Sequence, residues 1–230
     1  QEEATSVETT YFPKEYVHRV FTTLPEVADQ AFLHKQVFNL AYLADEESDK
    51  TEIIQQLKDF ADYFETWIKT LDSTDLDEKL VDVGQSIKSN IGLSLSRIRE
   101  GIKALDDEEV FASFQLANLS MLIQMSHFDV NETEGGPFKL DKAHSLENLS
   151  YLENHQFNWY PFQLAYFLLV LSSLVDEGHE HRETVDLIWF QTGGGKTEAY
   201  FFVSAFEMIY RRVKDGKKGL GTAIINRYTY

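Results

Sequence analysis

Residues Thr192-Gly193-Gly194-Gly195-Lys196-Thr197 bring together, without a gap, the residue types that phosphate chemistry asks for. Glycines allow a tight loop whose backbone N–H groups approach one cluster of oxygens closely. A helix opening near Lys196 would point the positive end of its dipole at the same place. In that arrangement Lys196 bridges the β and γ phosphates of a nucleoside triphosphate, and the Thr197 hydroxyl coordinates Mg²⁺. Lys196 and Thr197 are thus the candidate catalytic residues, with Thr192, Gly193, Gly194 and Gly195 as further nucleotide ligands. The other reading is a Gly-rich turn that merely connects two elements.

The elements that must hold such a loop are legible on both sides. Val185-Asp186-Leu187-Ile188-Trp189-Phe190 has the composition of a buried strand. A helix is expected from Thr197 to about Val213, followed by Lys217-Lys218-Gly219 and a second strand from Thr222. Strand, Gly-rich loop, helix and strand make a βαβ unit, which implies a parallel sheet covered by helices. Upstream, Pro161 suits a helix start, and the nearly all-apolar run to about Leu174 continues it.

The earlier part of the chain has a different character. Pro13 and Pro25 mark turns, and a helical pattern runs through Val27, Ala31, His34 and Phe38. Ile53, Leu57, Phe60, Phe64, Trp67 and Leu71 recur at spacings of three and four, the stripe of an amphipathic helix. Leu80, Val83, Ile87, Ile91, Leu95, Ile98 and Ile102 make a second stripe. A third helix starts at an Asp106/Glu109 capping pair and continues through Phe114, Ala117, Met121 and Met125. Three long helices with short polar connections predict antiparallel neighbours in a bundle. Between Asn131 and Asn148 the chain is polar and contains Gly135-Gly136-Pro137, a loop or linker. The expected organisation is an acidic helical accessory domain over 1–135, a linker over 136–156, and the first part of an α/β domain over 157–230.

Charge follows the same division. Of the 230 residues, 1–150 carry 29 acids and 13 bases, a net of −16, whereas 151–230 carry 9 acids and 8 bases, a net of −1. The acidic part would repel a phosphate backbone, so it solvates itself or meets a basic protein partner. There is no cysteine, hence no disulfide framework and no thiol nucleophile. The longest apolar stretch, around Phe167 to Leu171, is too short to span a bilayer. These features suit a reducing, cytoplasmic setting without membrane association. Position 1 is not Met, and the C-terminal GTAIINRYTY reads as a strand without a stop signal, so the sequence is expected to be part of a longer chain.

The loop departs from the full GxxxxGK[ST] form, because Phe190 occupies the first glycine position. WFQTGGGKTEAY resembles motif I of superfamily 2 helicases, with Gln191 in place of the usual proline. Trp159-Tyr160-Pro161-Phe162-Gln163 resembles a Q motif, although the arginine that often precedes such a glutamine is absent. The resemblance implies that Gln163 contacts the adenine edge while Tyr160 or Trp159 stacks on the base. Asn226-Arg227-Tyr228-Thr229 resembles motif Ia, which implies phosphate contacts from Arg227 and Thr229 to a DNA strand. The alternative for Gln163 is solvated surface at a helix start, and for Arg227 an ordinary strand end with a surface arginine.

The run from Asn158 to Val213, followed by INRYTY, resembles the DrmA-like large helicase subunits of the DISARM anti-phage defence system; FQLANLSMLIQMSH resembles a segment ahead of their helicase core. That family implies an ATP- and Mg²⁺-dependent ATPase with a truncated RecA-like domain here, acting on DNA alongside a partner subunit. No DEAH-like tetrad follows the loop, so the chain alone is expected to bind nucleotide weakly and not to hydrolyse it. The competing reading is a protein-interaction module with a vestigial nucleotide-binding half-domain; a third is a nucleotide switch without translocation. His179-Glu180-His181 reads as solvated surface, Glu198 as a first-turn acid, and Met121 with Met125 as core filler.

Overall fold

The computed structural model describes residues 21–25, 27, 32–71, 77–134, 157–189 and 193–227, with the backbone alone for 129–134. These residues are mainly helical. A short α1 (Leu40–Ala44) is followed by α2 (Lys50–Thr70), α3 (Val81–Ala104) and α4 (Glu108–Glu134). Beyond the expected linker come α5 (Pro161–Val175) and α6 (Lys196–Asp215). The stripes read from the sequence are helices; of the pattern from Val27 to Phe38, residues 28–31 lie outside the described residues, and the described part forms a 3-10 turn at Lys35–Phe38. Asp49 caps α2, its carboxylate accepting from Thr51 N and Glu52 N. Asp107 rather than Asp106 caps α4, accepting from Glu109 N at 2.9 Å and Val110 N at 3.1 Å. Pro161 opens α5, where a missing N–H costs nothing.

The helices before the linker pair with those after it. α3 packs on α2 and α5, and α4 packs on α1 and α6. Gly101 shows how closely α3 and α5 cross: a Cβ there would stand 1.8 Å from the Leu168 carbonyl oxygen. One hydrophobic cluster runs from Phe32 on the N-terminal side to Tyr210 on α6. At its centre Phe202 stacks on Phe167 at 4.2 Å and on Trp159 at 4.6 Å, with Phe114 of α4 at 5.6 Å from Phe167. α4 is apolar on more than one face because neighbours cover it on two sides. The expected boundary itself, at 136–156, lies outside the described residues.

Of the expected βαβ unit the described residues show the helix and not the sheet. Residues 184–189 and 222–227 have no helical or strand assignment, and among the described residues no ladder joins them. Isolated bridges are all the β pairing described, one of them antiparallel between Asn39 and Asn158. An extended segment becomes a strand only when a neighbour takes its backbone groups. The composition of a buried strand is there without the burial, for Val185, Leu187 and Trp189 are 93%, 85% and 92% exposed.

Candidate phosphate-binding site

The loop before α6 has the backbone that its glycines allow. Gly193 has φ +78° and Gly195 φ +86°, both in the left-handed region open to glycine and strained for other residues. Gly195 is the N-cap of α6, so Lys196 and Thr197 occupy its first two positions. The first N–H groups of a helix have no partner within it, and over the 20 residues of α6 the peptide dipoles add at this end. Gly193 is exposed and residues 194–198 are half-buried, which leaves the loop open on one side. Thr192, Phe190 and Gln191 lie outside the described residues.

The start of α5 is set against this loop. Gln163, 3% exposed, accepts at Oε1 from Tyr160 N at 2.7 Å, the backward half of a capping box. Its Nε2 donates to the Gly195 carbonyl at 2.7 Å. A Cβ on Gly195 would stand 2.8 Å from Gln163 Nε2 and 3.3 Å from Tyr160 Cδ2, so a side chain there would push the Gln163 amide off the carbonyl besides straining φ. Gln163 is therefore not the solvated surface residue of the alternative reading. Neither is its amide presented outward.

The two aromatic candidates separate. Trp159 is 2% exposed; its Nε1–H donates to Asn118 Oδ1 at 2.8 Å, and its ring belongs to the Phe202 stack. It is a core residue whose ring is already stacked on Phe202, although it also reaches the wall of the cleft beside Tyr160. Tyr160 remains, 45% exposed, with its ring beside Gly195 and Phe162. Tyr160 also lines a cleft of about 490 Å³ with Thr22, Lys35, Phe38, Tyr63 and Asn158.

Arg227 is exposed on the extended segment after α6, and among the described residues no contact joins it to the loop. Thr229 lies outside the described residues. The residues around the loop fit a magnesium nucleotide in one respect: the Thr197 hydroxyl is at the helix start. Among the described residues no group of three or more His, Asp or Glu could hold a cation by itself, so a cation here would arrive with the phosphates. The His179 and His181 rings lie 5.7 Å apart, with His179 Nε2 at 3.5 Å from Glu100 Oε2.

Sequence reasoning missed the clamp behind the loop. Arg97 of α3 holds Asp186 with both terminal nitrogens, at 2.6 and 2.8 Å, and ties the segment leading into the loop to the helices. Nothing in local spacing signals a pair 89 positions apart. Glu207 on α6 was missed as well. It lines a cavity of about 440 Å³ with Tyr166, Arg182, Asp186 and Tyr200, and burial pushes its carboxyl above the usual range.

No protein-family profile matches the chain. No helix among the described residues is long and apolar enough to cross a membrane. One curated protein, DISARM protein DrmA of Bacillus paralicheniformis, is 34% identical over 240 residues. That match takes in 98% of this chain and 20% of the relative's own length, so the chain spans about a fifth of the protein it matches. The resemblance read from the loop and its neighbours thus extends along the whole chain, which is a relative of DISARM protein DrmA.

Proposed function

We propose that this chain carries the nucleotide-binding loop of an ATP-dependent DNA helicase or translocase working in a DISARM-type defence system against phage. The observation that carries the reading is the loop Gly193–Thr197, with two left-handed glycines at the N-terminus of α6 and with Tyr160 and Gln163 against Gly195. Backbone N–H groups and the helix dipole receive the phosphates, Lys196 neutralises their charge, and the Thr197 hydroxyl ligates the accompanying Mg²⁺. Bound there, the cation would draw charge from the leaving phosphate oxygens. Tyr160 and the cleft it lines take the base. The segments 184–189 and 222–227 become strands of a RecA-like parallel sheet once further strands cover Val185, Leu187 and Trp189. A protein partner subunit and DNA complete the assembly, with Arg227 and Thr229 on the DNA side.

The test is titration of Mg·ATP into the protein and its Lys196→Ala variant, with hydrolysis followed in the presence and absence of DNA. Lys196-dependent binding is expected, with DNA-stimulated hydrolysis in the protein that contains the whole motor. Binding indifferent to Lys196 would retire the loop as a nucleotide site. A second reading, an interaction module, draws on the exposed Leu80, Val83 and Ile87 at the front of α3. It predicts that the helical part captures a protein partner without nucleotide.

A further inference from the structure

Gln163 has two polar ends, and both are committed to backbone. Its carbonyl oxygen accepts from Tyr160 N and its amide nitrogen donates to the Gly195 carbonyl, each at 2.7 Å, in a side chain 3% exposed. To read a base edge, an amide must present a donor and an acceptor outward together. Each end of this one keeps one further valence, a second N–H and a second lone pair, but in a side chain 3% exposed neither opens to solvent. Resting on the nucleotide reading above, we infer that Gln163 is a positioning residue of the phosphate loop and does not discriminate between bases.

The physical argument concerns one peptide. Gly195 is the N-cap of α6, and its left-handed φ sets where the N–H groups of Lys196 and Thr197 point. A glycine in a loop can leave that conformation easily, because no Cβ restricts it. The hydrogen bond from Gln163 Nε2 to the Gly195 carbonyl removes that freedom, and the bond from Tyr160 N to Oε1 holds the amide the right way round. With Gly195 lacking a Cβ, the amide comes close enough to do so. The start of α5 and the start of α6 are thereby fixed to each other across 32 positions of sequence. Whatever the base, the phosphates meet the same preset N–H groups, and base preference falls to Tyr160 and the cleft beside it.

Three ligands separate the roles: Mg·ATP, Mg·GTP and inorganic tripolyphosphate with Mg²⁺. In Gln163→Glu a carboxylate oxygen would face the Gly195 carbonyl, and in Gln163→Met no bond forms. Affinity for all three ligands is expected to fall by the same factor, about tenfold, the loss of one buried hydrogen bond. A change in the ATP-to-GTP ratio with tripolyphosphate binding unaltered would overturn the inference. Should either variant fail to fold, the wild-type protein decides by NMR. The Gln163 side-chain amide protons are expected to exchange slowly with solvent and to shift on adding tripolyphosphate alone. A shift that requires a nucleoside would assign the amide to the base instead. If the wild-type protein binds none of the three ligands, the nucleotide reading fails first and this inference falls with it.

Discussion

The two terminal nitrogens of Arg97 meet the two carboxylate oxygens of Asp186 at 2.6 and 2.8 Å, in a parallel fork that closes a loop of 89 positions. The Arg97 side chain is almost wholly buried and Asp186 is mostly so. A bidentate pair of this kind fixes orientation as well as distance. It anchors the extended segment 184–189 to the C-terminal half of α3, so the helical part of the chain fixes where that segment lies.

Breaking that pair from one side leaves a charge without its partner in a poorly solvated place. Arg97→Met or Asp186→Leu is expected to lower stability by about 3 kcal/mol. The double variant Arg97→Met/Asp186→Leu should recover most of that loss, because no charge is then stranded. Urea denaturation of the four proteins checks this; equal and additive losses would show that the two residues do not act as a pair.

Trp159 and Tyr160 are neighbours with opposite duties, and substitution should separate them. Trp159→Phe keeps an aromatic ring in the Phe202 stack but deprives Asn118 Oδ1 of its donor, a cost of about 2 kcal/mol. It should leave nucleotide affinity unchanged where the protein is folded. Tyr160→Ala removes a half-exposed ring and should change stability little, while weakening ATP binding several-fold. Thermal melts beside ATP titrations read both quantities. A Trp159→Phe protein that is stable but fails to bind would return Trp159 to the ligand.

Glu207 predicts a pH dependence. Burial raises its carboxyl pKa, against the lowering influence of Arg182, Arg211 and Lys214 and with Glu177 adding to the rise. Its Oε2 is buried without a hydrogen-bond partner. The folded pKa therefore exceeds the unfolded one, and the protonated form is the one the fold accommodates. The associated stability is present in full below the unfolded pKa and is lost as pH rises through the folded value. Glu207→Gln, which mimics the protonated acid, should gain about 1 kcal/mol at neutral pH. That gain should vanish towards pH 4. Denaturation curves across this range check it; a constant difference would mean that the proton at Glu207 is not involved.

Local physics made much of this molecule legible before any contact was known. Gly193, Gly195, Lys196 and Thr197 announce a glycine turn into a helix because φ above zero and a helix N-terminus are properties of a few consecutive residues. The same holds for α2, α3 and α5, whose stripes and Pro161 act within a few turns. The same residues carry the resemblance to DISARM protein DrmA, which is 34% identical along the chain. The tertiary structure alone decided that Gln163 turns inward to Gly195, that Trp159 belongs to the core, and that α3 serves α5 as closely as α2. It also left Val185, Leu187 and Trp189 uncovered where their composition called for a sheet. The reason is common to all four. A side chain's type states what it can bond or bury, but its partner is chosen by where the whole chain brings other backbone and rings. Across 32 or 89 positions, spacing in sequence carries no information about that choice.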